Sequence, residues 1–485
     1  MDQWYYLRAM RSGFSMSHRK EIGMVVDRER ARDRSGRGAL EALSASRTKP
    51  WMIVALLMVF ELINYADRSV MALSAEYIMD ELNISEATYG LISSSFYFLF
   101  AITAIGVGFT ANRFQLKWIL LIMAVAWIIT QAPVFFFGGA GVLLFNRILL
   151  GAAEGPGVSM ANASAFTWFP PEKRGLPASL LSVGSSMSKV IAAPLLTLLI
   201  VAAGWRWGFL ALAIAGTIWS AFWLILGGDG PYRINHQPLP SRRGPNGTDG
   251  SAIRSTEKAV RRELFRKAVL NRTFVMMLIG TIPMYALITV ILSWMPAYLE
   301  SGLGFSRQNS GLLFALPSLA ALVLMVITGT VTDRLVVRGV SMRIARGIIP
   351  AVALLLAGTC VILIPWAAGM HAFWAVGLII LGYGLGIAAM PISYAVAGSL
   401  AAPSQRPSVL GLFVGLQSLA GVVAPWCTGM LVAAADTKVE GYNLAFSLLG
   451  LAIVIGGVIF GIGTNPDRDN VKATAEPATG VEGEL

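Results

Sequence analysis

Twelve apolar runs, each 22 to 29 residues long, occupy most of this 485-residue chain. They cover about 51–75, 87–111, 117–138, 141–166, 176–203, 206–227, 273–299, 309–332, 344–366, 372–400, 408–433 and 442–463. A helix rises 1.5 Å per residue, so each run is long enough to cross a hydrocarbon core of about 30 Å. Only 13% of the residues are charged, against about 25% in a soluble protein, and mean hydropathy is +0.65. A soluble multidomain protein is excluded. The expected fold is an all-α integral membrane protein of twelve transmembrane helices.

The net charge of +11 does not point to nucleic acid. The basic residues cluster in short segments between runs: Arg113 and Lys117, Lys173 and Arg174, Arg334 to Arg346, and Arg406. The loop after run 1 instead carries Glu76, Asp80, Glu81 and Glu86 and no Lys or Arg. Basic loops alternate to the side of the basic tail 1–50, so both termini are expected in the cytoplasm. No apolar signal-peptide segment precedes the first run. These features suggest a bacterial inner membrane.

Residues 228–272 divide the chain. They hold Pro231, Pro238, Pro240 and Pro245, then a basic stretch from Lys258 to Lys267. This reads as a linker followed by a short amphipathic helix lying on the lipid surface. The division is therefore a tail 1–50, a bundle 51–227, the linker 228–272, a bundle 273–464 and a tail 465–485. Two pseudo-symmetric six-helix bundles are supported by a repeat. Gly108-Phe-Thr-Ala-Asn112-Arg113 ends run 2, and Gly329-Thr-Val-Thr-Asp333-Arg334 ends run 8, the same place in the second half. Parallel halves suggest alternating access to a central site.

Charges inside the runs are costly, face a bundle interior or a watery cavity, and mark function. In run 1, Glu61, Tyr65 and Arg68 are spaced i, i+4, i+7 and share a face with Asn64. Asp67 points about 100° away. Arg68 could thus face a cavity while Asp67 meets a neighbouring helix, or the two could form an internal ion pair. Arginine offers a planar fork that matches a carboxylate. In run 4, Arg147, Gly151 and Glu154 form another i, i+4, i+7 stripe. A carboxylate near a movable cation changes its proton affinity as the cation moves. Arg147 could instead anchor a helix end. Lys189, in the middle of run 5, needs a partner or a ligand. Glu61 is either a third titrating acid or that partner. As a ligand group, Lys189 would be a second cation for an anionic substrate, favouring a dicarboxylate or a bulky aromatic acid over a sugar monoacid. The second half offers neutral polar groups, among them Tyr285, Ser293, Tyr383, Ser393, Tyr394, Ser399, Gln417 and Ser418.

Other chemistries lack residues. Cys360 and Cys427 lie inside runs and suggest neither a disulfide nor a metal. His18, His236 and His371 form no cluster, and no phosphate-binding loop for ATP is present. No cofactor and no enzymatic activity are expected.

Residues 48–468 resemble the major facilitator superfamily, and within it the anion:cation symporter family of galactonate, hexuronate and phthalate permeases and sialin-like carriers. The resemblance rests on Asn64 to Arg68, Arg147 to Gly155, Phe169-Pro170 through Arg174-Gly175, Gly204-Trp205-Arg206, Ser293 to Leu299, and Asn465 to Arg468. It implies that Arg68 binds a substrate carboxylate, that Asp67 and Glu154 carry protons, and that Arg147 couples the two. It places Ser399 and Gln417 near substrate. The family's cavity Tyr falls on Phe100, with Tyr97 one turn away as a substitute. A Gln of its sugar-acid carriers falls near Ser185, which puts a hydroxyl-rich substrate in doubt. Gly108, Asn112, Arg113, Gly329, Asp333 and Arg334 read as gates, with a weaker charge lock where Asn112 replaces the usual Asp. The implied function is proton-coupled uptake of an organic carboxylate (sugar acid, aromatic acid or dicarboxylate) by a monomer, with Na⁺ as the alternative coupling ion. An organic-anion exchanger, an efflux carrier and a transporter-like nutrient sensor are the other readings.

Overall fold

A computed structural model describes residues 48–110, 114–170, 173, 175–232, 259, 262–401 and 405–470. Among them every regular element is helical. Eleven helices are long and apolar enough to cross a membrane. The twelfth crossing, span 4, is broken, so that it runs as Ala140–Glu154 and then Gly157–Phe166. The expected single helix over 141–166 is corrected here: Gly155-Pro156 interrupts it, because proline lacks the N–H that would continue the ladder. The other spans are Thr48–Leu73, Glu86–Thr110, Leu116–Phe136, Gly175–Ala203, Trp205–Leu226, Arg272–Gly302, Arg307–Val337, Ile344–Ile362, Ala372–Ser399, Arg406–Ala434 and Lys438–Gly463. Span 5 carries a wide π-type turn at Ser188–Ala192 in its middle.

Each span buries one face and gives the other to lipid. In span 3, Ile122, Ile129 and Phe136, at seven-residue intervals, are all exposed, while Leu120, Ala124, Trp127 and Val134 are buried. Lipid is as apolar as leucine, so helices associate through close packing instead of water exclusion. Spans 7 and 12 meet at Gly280 and Gly456, where an added Cβ would lie 2.7 Å from the facing carbonyl oxygen.

The two halves repeat one another. Span 3 packs on span 6 as span 9 packs on span 12, and span 2 on span 4 as span 8 on span 10. A capping device repeats too. Asp229, just past span 6, accepts the Leu116 and Lys117 N–H groups (3.2 and 3.1 Å) that open span 3. Asp467, just past span 12, accepts those of Met342 and Arg343 (3.3 and 3.0 Å) at the start of span 9. Helix starts carry orphan N–H donors and a positive dipole end, so a carboxylate suits both places. The Asn465-Pro-Asp467-Arg468 motif is thereby explained. In the linker, residues 262–269 are helical, and Ala268 is buried. Lys258 and Arg261 fall outside the described residues.

Between halves, span 1 packs on span 7, span 2 on span 11, and span 5 on span 8. The end of the bundle opposite the linker, here the far side, is tied by charge. Lys438 Nζ sits 3.3 Å from Glu76 and 3.2 Å from Glu86. Arg307 lies 3.8 Å from Asp80 and 4.0 Å over the Tyr77 ring. Deeper, the Tyr89 hydroxyl reaches the carbonyls of Met71 and Ser293, and Ser94 Oγ accepts from Trp426 N–H. The Gly204-Trp205-Arg206 motif also lies on this side. Trp205 Nε1 donates to Glu81 (2.6 Å), and Arg206 pairs with the same carboxylate.

Candidate functional site

Seven charged side chains are buried among the described residues, and six of them stand in spans 1, 4 and 5: Glu61, Asp67, Arg68, Arg147, Glu154 and Lys189. The chain spends this desolvation cost in one half of the molecule. Unpaired, each charge would cost several kcal/mol, so their partners define the site.

Arg68 is its centre. Its Nε donates to Glu154 Oε2 at 2.9 Å, across from span 1 to span 4. Its Nη2 donates to Asn64 Oδ1 at 3.2 Å, one turn earlier on its own helix. The guanidinium carbon lies over three rings: Tyr65 at 4.7 Å, Phe100 at 5.0 Å and Phe96 at 5.3 Å. Such ring faces hold a cation while leaving its in-plane donors for a ligand. Gly151 lets this happen. Span 4 meets the Phe96 backbone there so closely that no Cβ would fit.

Asp67 points away from Arg68, and the internal Asp67–Arg68 pair is not formed. Its Oδ1 accepts from Gln131 Nε2 of span 3 at 2.8 Å, and its Oδ2 is buried without a partner. Arg147 is 2% exposed, which rules out a helix-end anchor. It donates to the backbone oxygen of Asp67 (3.3 Å) and lies 5.6 Å over Phe209, with Nε and Nη2 unpartnered. Arg147 and Glu154 share a stripe, but Glu154 pairs with Arg68 instead. Glu154 Oε1 and Glu61 Oε1 are also buried without partners.

A cavity of about 20 Å³ opens beside these groups, with room for one water. Arg68 and Arg147 both line it, with Ser93, Phe96 and Tyr97 of span 2 and Leu292 and Ser293 of span 7. Two guanidiniums on one small cavity make it attractive to an anion.

The other expected residues are placed as follows. Lys189 is not paired with Glu61, which corrects that reading. Its Nζ donates to Tyr383 Oη of span 10 at 2.9 Å, in the opposite half. Tyr97 lies against Phe96 and Phe100 at the cavity wall, so both aromatic positions serve the Arg68 niche. Gln417 is fully buried and donates to Thr281 Oγ1 at 2.6 Å, within the second half. Ser399 ends span 10, sixteen residues or roughly 24 Å along the helix from Tyr383, and is not part of this cluster. Asp333 pairs with Arg346 of span 9 at 3.7 Å, while Arg334 is exposed and Gly329 lies one turn earlier on span 8. That repeat links neighbouring spans of one half. Gly108 is helical, and Asn112 and Arg113 fall outside the described residues. Gln131 was not anticipated. Its signal was an amide inside the apolar run 117–138.

The sequence model of the Major Facilitator Superfamily matches residues 56–425. A probable sulfoacetate transporter of Cupriavidus necator, SauU, is 26% identical over 413 residues, covering 84% of this chain and 92% of its own. A probable galactarate/D-glucarate transporter of Escherichia coli strain K12, GarP, is 24% identical over 435 residues, covering 84% and 93%. Among solved structures, a bacterial homolog of the human lysosomal transporter Spinster, inward-facing and unoccupied, superposes with a TM-score of 0.71. It is 18% identical and covers 89% of this chain and 100% of its own. A D-xylose-proton symporter superposes at 0.70 with 16% identity, covering 87% and 99%. These likenesses establish the fold.

Proposed function

The chain belongs to the major facilitator superfamily and is a membrane transporter, not an enzyme, and from that premise we propose that it takes up an organic carboxylate together with protons. The observation that carries this reading is the buried Arg68–Glu154 pair. A substrate carboxylate needs the same guanidinium fork that Glu154 now occupies. When it takes Arg68, Glu154 is left buried without its cation. A carboxylate in that position takes a proton instead of staying charged. Substrate and proton then enter as one electrical unit, and release of either restores the pair. Asp67 and Arg147 lie one layer further, joined through the Asp67 backbone oxygen and not through its carboxylate.

The linker side is read as cytoplasmic, because the basic loops and tail gather there. The inner membrane of a bacterium is the fitting location, and a monomer contains the whole site. Similarity to a probable sulfoacetate transporter and a probable galactarate/D-glucarate transporter supports an acid as the substrate class.

The test is uptake of radiolabelled acids into proteoliposomes, with and without an inward proton gradient. Gradient-driven accumulation of one acid, lost in Arg68→Ala, is the expected result. Equal behaviour of wild type and Arg68→Ala under every gradient would remove the anion-symport reading.

A further inference from the structure

Lys189, like Arg147, is a buried cation with no carboxylate within ion-pair distance among the described residues, and it alone of the site's cations bonds across to the second half. The residue is buried, and its ammonium is bonded to a phenol, Tyr383. An ammonium has three donors, and the bond to Tyr383 uses one. Tyr383 Oη accepts that bond, which leaves the phenol's own proton to donate. The pair is thus a donor site with net charge and no resident anion.

Its surroundings lead to it. Ser182, Ser185, Ser186 and Lys189 are spaced i, i+3, i+4, i+7 and form one stripe along span 5. Their three hydroxyls donate to the carbonyls of Ala178 and Ser182, so their lone pairs remain free. Along the stripe burial deepens from exposed Ser182, through half-buried Ser185 and Ser186, to buried Lys189. Ile191, Leu195 and Leu198, all exposed apolar residues, lie on the opposite side of the helix. The π-type turn at Ser188–Ala192 falls on Lys189 itself. Such bulges concentrate at functional sites, because one extra residue re-aims a side chain.

The distance to Arg68 is also suitable. Spans 1 and 5 run parallel, and Gly184 packs directly on the Met58 backbone. Five residues on, Lys189 stands level with Ile63, roughly 7 Å along the axis from Arg68. The π-type turn that carries Lys189 packs directly on span 1, the helix of Tyr65 and Arg68.

We propose that Lys189 and Tyr383 form a second anion subsite, and that the substrate is a dianion, a dicarboxylate or a sulfo-carboxylate, held between Arg68 and Lys189. This rests on the reading of Arg68 as the first carboxylate site. The subsite joins the two halves, so a dianion contacts both where a monoanion contacts one.

The test measures binding to the purified full-length protein by isothermal titration. The probes are matched pairs: D-glucarate with D-gluconate, sulfoacetate with propionate, and succinate with butyrate. At least one dianion should bind wild type about tenfold or more tightly than its monoanion, the worth of one charge-assisted contact. Lys189→Gln should bring that ratio to about one, Lys189→Arg should retain part of it, and Tyr383→Phe should lower it severalfold. Monoanions binding as well as dianions in all three wild-type pairs would overturn the proposal, without recourse to any variant. So would an unchanged ratio in Lys189→Gln, or no binding by any probe at millimolar concentration. Arg68→Ala separates the two readings. If it leaves binding intact, the first carboxylate site is wrong. If it abolishes binding while Lys189→Gln keeps the ratio, only the second subsite is wrong.

Discussion

Arg68 sits among three rings and holds its fork on Glu154 and Asn64. A lysine can supply the charge but neither the fork nor the stacking. Arg68→Lys should therefore lower kcat/KM for the transported acid at least tenfold, measured as initial uptake rates at equal protein. Gln131 fixes Asp67 Oδ1. Gln131→Leu should leave Asp67 with two unpartnered buried oxygens, which favours its protonated form. The pH at which uptake is half-maximal should shift in Gln131→Leu, while Gln131→Glu, which sets two acids side by side, should shift it further. The residues of the site were legible in the sequence because a charge inside an apolar run needs a reason. Their pairing was not. Arg147 and Glu154 share a helix face, yet Glu154 bonds Arg68, since partners are decided by the depth and rotation of neighbouring spans. Gln131 carries no charge and therefore raised no alarm.

At the scale of elements, hydropathy located the spans to within five residues, because length and apolarity alone decide a crossing. The break in span 4 was written as Gly155-Pro156, whereas the π-type turn at Lys189 has no marker that a single sequence displays. The repeated caps were half visible. The motif around Asp467 could be read, and its use could not. Asp229→Ala and Asp467→Ala should each cost about 1 kcal/mol through the lost helix cap, a fall of about 2 °C in the melting midpoint of the purified protein. Similar losses at both positions would support the duplication. Glu81, at the far side, is pushed up by burial, but the hydrogen bonds of Arg206 and Trp205 outweigh this and hold it below its ordinary value. A carboxylate depressed on folding stabilises above its unfolded pKa, and that contribution is lost as pH falls through the folded one. Glu81→Gln should thus flatten the loss of thermal stability on acidification below about pH 4.5, measured in detergent.

For the whole molecule, the far side is fastened by Lys438 between Glu76 and Glu86 and by Arg307 on Asp80. The proposed transport cycle requires those ties to open. Lys438→Gln with Arg307→Gln should shift the population towards a far-side opening. In a chain with Cys360 and Cys427 replaced by Ala, a probe cysteine at Ser93, on the cavity wall, should then react severalfold faster with an impermeant thiol reagent from that side.

The measurement that bears most directly on coupling is the pH of a weakly buffered suspension of proteoliposomes as the transported acid is added. Wild type should make the medium outside more alkaline as protons enter with the acid. Glu154→Gln should still exchange labelled for unlabelled acid, yet give no pH change. A full pH change in Glu154→Gln would contradict the proposal that the Arg68–Glu154 pair links the proton to the substrate.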